Sequence, residues 1–229
     1  MTSTTLFTGA VQLLVLLLAV SVHEAAHAWT AQRHGDSTAA LLGRATLSPL
    51  AHLDLLGSLL LPLLLIAFGL PVFGWGRPTP VVTQNLRRGE RDDLLVTAAG
   101  SVANATLAVV ATIALAVAAR HLGPDARQAA YLTLIHDFPR AGALAGFPVM
   151  FTLVQMAYVN AFLVLFNLIP LPPLDGGQIA LHLLPADWAA KYASLRPYGI
   201  LVGIFLGTFG VLTVLLLPFS LLLNLVINL

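Results

Sequence analysis

Residues 6–22 contain no charged side chain, and three further runs, 94–119, 145–168 and 200–217, are equally uncharged and apolar. Each is close to the roughly 20 residues that cross a bilayer as a helix, which leaves such a chain few ways to fold in water. Composition agrees: the 229 residues are 58% hydrophobic and 9% charged, with mean hydropathy +0.89, where soluble domains carry about 25% charged residues. The net charge of +1 gives no footprint for nucleic acid. With no cysteine, disulfides are excluded. The first run, taken to 29, has no basic residue before it and no small-residue cleavage site, so a retained helix is expected. The expectation is an all-α membrane protein, a polytopic helical bundle of about 4–6 membrane segments, with residues 1–229 as a single domain.

A fifth apolar stretch, 53–72, differs from the others. His52 and Asp54 stand at its mouth, Pro62 in its middle and Pro71 at its end. Both flanks are basic, with Arg33 and Arg44 before it and Arg77, Arg87, Arg88 and Arg91 after it. Cytoplasmic loops collect arginine and lysine. The stretch is therefore expected to dip in and return instead of crossing. On that parity, runs 6–29 and 145–168 both end on the cytoplasmic side; a crossing would put their ends on opposite faces.

The first run closes on SVHEAAH. Residues four apart share a helix face, so His23 and His27 can turn their imidazoles to one ion. Glu24 sits about 100° round the helix and can hold a water beside that ion. This is the content of an H-E-x-x-H signature: two zinc ligands and a general base. Ionisable groups inside a membrane helix point to function, though two histidines and a glutamate can also mark a wetted helix end. His23 precedes Trp29 by six residues, roughly 9 Å of helix, so water must reach it through a cavity.

A catalytic zinc needs a third protein ligand. The candidates are the other five histidines and the carboxylates, and most carboxylates, Asp36, Glu90, Asp92 and Asp93 among them, fall in loops that read as exposed. Asp175 is different. It lies in FNLIPLPPLDGGQIA, where Pro170, Pro172 and Pro173 break a long apolar helix and Gly176 and Gly177 follow the carboxylate. Such irregular backbone at membrane depth is tolerated where it is buried in protein or lines a cavity. An aspartate in an ordinary helix-ending turn is the alternative. The re-entrant parity returns Asp175 to the face of His27.

With HEAAH early and NLIPLPPLDGG after a later helix, the chain resembles the site-2 protease family of intramembrane zinc metalloproteases, in its short bacterial and archaeal form. GRATLSPLAHLD (43–54) is similar to that family's GR-x-TLNP-x-x-H-x-D, AAGSVAN (98–104) to its AGP-x-x-N, and RRGERDD precedes the latter helix. The resemblance spans about residues 20–180. It implies zinc held by His23, His27 and Asp175, Glu24 activating water, and Asn167 near the metal as a stabiliser of the oxyanion. It also implies a transmembrane protein substrate cleaved where its helix unwinds, and a short membrane-associated β or re-entrant region at 43–50 that pairs with extended substrate. Ser101 replaces the proline after Ala-Gly, and Ser48 the asparagine before Pro49, which puts loop geometry in question. No PDZ or CBS module is recognised, so regulation by an attached domain is not expected. The implied setting is the plasma membrane of a prokaryote, multi-pass, with the active site toward the cytoplasm.

His52 and Asp54 form an H-x-D pair that reads as a loop organiser or support to the site, with a second metal site as the alternative. Asn104 reads as a hydrogen-bonding group toward a neighbouring helix or the active site. His34, His121, His136 and His182 show no partner in the sequence and read as interfacial, as do Trp29, Trp75 and Trp188. Gly203, Gly207 and Gly210 suggest close packing in the last helix. Two other functions compete: a metal transporter, which would need repeats and ligands on several helices, and an inactive scaffold, which would lack a ligand or the base.

Overall fold

The computed structural model describes residues 2–70, 72–199, 202, 205 and 210–229. Three of its helices are long and apolar enough to cross a membrane: α1 (Ser3–Arg33), α3 (Glu90–His121) and α5 (Phe147–Asn167). Between and after them stand α2 (Leu61–Ala67), α4 (Pro124–Leu134), α6 (Asp175–Leu183) and α7 (Val211–Asn228). The ends of the long helices carry the expected signals. Thr2 caps α1 by accepting from the Thr5 N–H. Glu90, Asp92 and Asp93 occupy the first turn of α3 and Arg120 and His121 its last, each sign facing the favourable end of the helix dipole. Much of the expected run at 200–217, with Gly203 and Gly207, lies outside the described residues; Gly210 is the left-handed residue that opens α7, and Pro218 lies inside that helix.

The bundle is held by close packing of alanines among larger apolar side chains. Ala111, Leu115 and Ala119 of α3 pack on Met150, Val154 and Ala157 of α5 and on Leu223 and Ile227 of α7. Val15, Leu16, Ala19 and Val20 of α1 pack on Val159 and Leu163 of α5. In a bilayer, tail-to-tail apolar contact drives nothing, so close van der Waals fit of this kind carries the association. Large side chains turned outward, among them Leu14, Leu18, Val110, Ile113 and Val117, suit lipid on the opposite faces.

The stretch 53–72 turns back on itself, so that its two flanks meet. Asp54 Oδ1 accepts the N–H groups of Leu56 and Gly57 and starts a π-helical turn, Leu55–Leu60. That turn gives way to α2 at Pro62, whose missing N–H makes a break in the ladder cheap. Gly69, with φ +67°, stops α2 in a Schellman arrangement: the Gly69 N–H donates to Ile66 O and the Leu70 N–H to Leu65 O. The chain then comes back extended against its own start. The Trp75 N–H donates to Gly57 O at 3.2 Å, Ser58 Oγ to Trp75 O at 2.7 Å and the Arg77 N–H to His52 O at 2.8 Å. The two mouths of the stretch therefore touch. Trp75, read as interfacial from the sequence, lies over Gly57, where an added Cβ would meet the indole at 2.4 Å.

No strand forms among the described residues, so the β element expected at 43–50 is corrected to turns and a short 3-10 segment, Pro49–Ala51. The reason is that this segment serves the returning chain from the side. Arg44, buried, donates to the carbonyls of Pro78 and Arg77, and His52 bonds Thr46 O at 2.8 Å. Asp36 and Asp92, expected in exposed loops, are both fully buried. Asp36 follows the Gly35 stop of α1 and gathers three parts of the chain: it accepts from Thr38, from the Val82 N–H at 2.7 Å and from Asn85 Nδ2 at 3.1 Å. Asp92 accepts from Arg88 and lies 2.9 Å from His34 Nδ1, and His182 lies 3.0 Å from Asp93. His34 and His182 thus have carboxylate partners.

Burial alone would raise the Asp36 carboxyl, but its hydrogen bonds from Thr38, Val82 and Asn85 outweigh that and hold it below its ordinary value. A depressed carboxylate stabilises the fold above its unfolded value of about 3.9 and loses that contribution as pH falls through the folded value. Asp36→Asn, which puts an amide where donors converge, is expected to destabilise by about 1–3 kcal/mol at neutral pH. Thermal melts in detergent should show a lower midpoint for the variant and a gap from the wild type that narrows on acidification below about pH 4.

Candidate metal centre

α1, α3 and the start of α6 meet at one buried point. His23 and His27, one turn apart on the inner face of α1, are 6% and 8% exposed. Asp175 is the first residue of α6, where the helix dipole favours a carboxylate. It is brought there by the proline-broken reversal after α5. Added Cβ atoms at Gly176 and Gly177 would lie 2.4 Å from backbone atoms of Leu168 and Leu171. The two glycines are therefore what lets the first turn of α6 nest on the loop that precedes it.

His23 Nε2 lies 3.1 Å from His27 Nε2 and 3.4 Å from Asp175 Oδ2, and His27 Nε2 lies 3.6 Å from Asp175 Oδ1. Zinc bonds of about 2.0–2.1 Å set tetrahedrally give ligand-to-ligand edges of about 3.3 Å, so these three atoms are spaced to hold such an ion. They form the one group of three or more potential ligands among the described residues. The protonation pattern fits too. His27 Nδ1 lies 2.7 Å from Val96 O. A carbonyl only accepts, so Nδ1 donates there, and Nε2 is the nitrogen turned toward His23 and Asp175. His23 Nδ1 is buried without a hydrogen-bond partner.

The helix that closes this site was not singled out by the H-E-x-x-H reasoning. Gly100 of α3 lies against both rings: an added Cβ would fall 2.5 Å from His27 Nε2 and 2.6 Å from His23 Cε1. A glycine inside a long apolar helix is the signal that marks such an approach. The next residue, Ser101, donates to Asp175 Oδ2 at 3.3 Å.

A cavity of about 840 Å³ opens onto the group, with His23, Glu24, His27, Asp175, Asn167 and Thr79 on its walls. Glu24 Oε2 accepts the Thr79 N–H at 2.8 Å, and the Thr79 hydroxyl donates to Glu24 O at 3.0 Å. Nothing in the sequence pairs Thr79 with a residue 55 positions earlier. Asn167 donates from Nδ2 to Leu163 O at 2.9 Å. Asp54 also borders the cavity, but its carboxylate caps the re-entrant turn and His52 is bonded to Thr46, so that pair organises the loop. Asn104 is fully buried, with no hydrogen-bond partner for either amide atom.

Gly100→Ala is expected to weaken divalent-metal binding by about tenfold or more, because both rings must shift. Chelator competition on the purified protein reads this directly, and an unchanged affinity would show that α3 does not set the ring positions.

The sequence pattern of Peptidase family M50 matches residues 11–209. A Bacillus subtilis protein named "Putative zinc metalloprotease YwhC" is 35% identical over 189 residues, which cover 82% of this chain and 76% of that protein. A Mycolicibacterium smegmatis protein named "Putative zinc metalloprotease Rip2" is 32% identical over 193 residues, 83% of this chain and 63% of that protein, so the chain spans less than two thirds of the latter's length. No solved structure matches. Nearly nine tenths of the chain thus follows one family's pattern, and the chain belongs to peptidase family M50, the site-2 protease family of zinc metalloendopeptidases.

Proposed function

We propose that this chain hydrolyses peptide bonds in or near the transmembrane helices of membrane-protein substrates, with zinc held by His23, His27 and Asp175. The observation that carries the reading is the convergence of those three side chains on the wall of a cavity that also holds Glu24. Zinc at such a site supplies Lewis-acid polarisation of the scissile carbonyl. Glu24 is the general base: it takes a proton from the attacking water and passes it to the leaving amine as the C–N bond breaks. The Thr79 N–H fixes Oε2 of that carboxylate, leaving the other oxygen for the proton. The Asn167 amide has two N–H groups, one on Leu163 O and one free to donate to the developing oxyanion. The His27–Val96 bond keeps that imidazole in one tautomer throughout.

We further place the protein in a prokaryotic plasma membrane with the active site toward the cytoplasm. Support comes from the arginines on both flanks of the re-entrant stretch and from the contact between His52 and Arg77, which puts those flanks at one end of the bundle.

Glu24→Gln is expected to retain zinc and to cleave a panel of helical membrane substrates about 10²–10⁴-fold more slowly. Equal cleavage would remove Glu24 from the mechanism, and the absence of zinc from both proteins would end the reading. A reporter fused at residue 80 should give a cytoplasmic signal; a periplasmic one would overturn the topology.

A further inference from the structure

In an apolar helix, serine and threonine hydroxyls have no water to bond and ordinarily donate to the carbonyl four residues back. Ser21, Thr106, Thr112, Thr152 and Ser220 all do so. Ser101 does not. Its Oγ donates across the bundle to Asp175 Oδ2, 74 residues away, and the residue is only 6% exposed. The contact exists because the neighbouring Gly100 brings α3 against the two imidazoles.

We propose that Ser101 is a positioning residue: its hydroxyl fixes the rotation of the Asp175 carboxylate and thereby raises the affinity of the site for zinc. This rests on the reading of Asp175 as a metal ligand. Asp175 Oδ2 faces His23 and Oδ1 faces His27, and a carboxylate free to turn about its Cβ–Cγ bond would spend only part of its time in that arrangement. One donor on Oδ2 removes the freedom, and in a low-dielectric interior a hydrogen bond to a carboxylate is stronger than one between neutral groups. Position 101 is also where the chain departs from the family's Ala-Gly-Pro, and proline has no hydroxyl to offer.

The test uses the full-length protein in detergent, stripped of metal and titrated with zinc against a chromophoric chelator. Ser101→Ala is expected to bind zinc about 10–100-fold more weakly, Ser101→Thr to recover to within a few-fold of wild type, and the metal-free proteins to melt together. Ser101→Ala binding like wild type while Asp175→Asn binds weakly would overturn the inference and leave the metal site standing. Failure of Ser101→Thr to recover would overturn it as well, since the hydroxyl is then not the cause. If Asp175→Asn also binds like wild type, it is the assignment of Asp175 as ligand that fails.

Discussion

Two imidazoles and a carboxylate buried in an apolar bundle must find partners in one another, in nearby backbone or hydroxyl groups, in water or in a cation, and much of this fold is arranged around that constraint. The three groups come from α1 and α6, some 150 residues apart in sequence, and no single helix could assemble them. Each approach needs a missing side chain. Gly100 lets α3 lie on the rings, and Gly176 and Gly177 let α6 start against its own preceding loop. A Cβ at any of the three would meet atoms at 2.5 Å or less. In a membrane bundle, where packing replaces the hydrophobic effect, such contacts set how closely the helices approach. The spacing of these three side chains is a consequence of that backbone contact before it is a property of the side chains themselves.

A second layer of polar contacts holds Glu24. The segment that follows the 53–72 stretch is tethered to α1 and to the chain just after it: the Thr79 N–H bonds Glu24 of α1, the Val82 N–H bonds Asp36, and Arg44 bonds the carbonyls of Arg77 and Pro78. Extended backbone without a sheet partner must place its donors somewhere when buried. Here the acceptors are the carbonyls of Gly57 and His52 and the carboxylates of Glu24 and Asp36. The same chain that satisfies its own backbone in this way also orients the carboxylate of the H-E-x-x-H signature. The His182–Asp93 pair, with the Thr83 hydroxyl on the same carboxylate, ties the helix bearing Asp175 to the helix bearing Gly100 and to this segment.

What the sequence made legible follows from periodicity and from backbone chemistry. Uncharged runs of near-bilayer length marked the three long apolar helices, and the proline-glycine reversal marked Asp175, which the structure brings beside His23 and His27. What it hid is pairing at long range. Asp36 and Asp92 read as solvent carboxylates because nothing local announces that Val82 and Asn85, or His34, will cover them. Thr79 was missed for the same reason. The strand expected at 43–50 did not form because its polar groups are used laterally, Arg44 on the return segment and Thr46 on His52, leaving no regular ladder. Trp75 was read as an interfacial anchor when Gly57 had already made room for its ring.

The site's depth bears on the proposed substrate. An α-helix carries its peptide groups on a cylinder of radius about 2.3 Å inside a side-chain envelope about 10–12 Å across. An intact substrate helix lying against the cavity wall would therefore keep its carbonyl carbons several ångströms from Glu24 and from the three converging ligands, with each carbonyl oxygen already bonded within the helix. Attack requires a reacting separation of about 3–3.5 Å. A cavity of about 840 Å³ is large enough for a few unwound residues and too small for several turns of helix with its side chains. Local unwinding is then a geometric requirement of the site as proposed. It follows that helix-breaking residues in the substrate lower the work of reaching the site, whatever side chains flank the scissile bond.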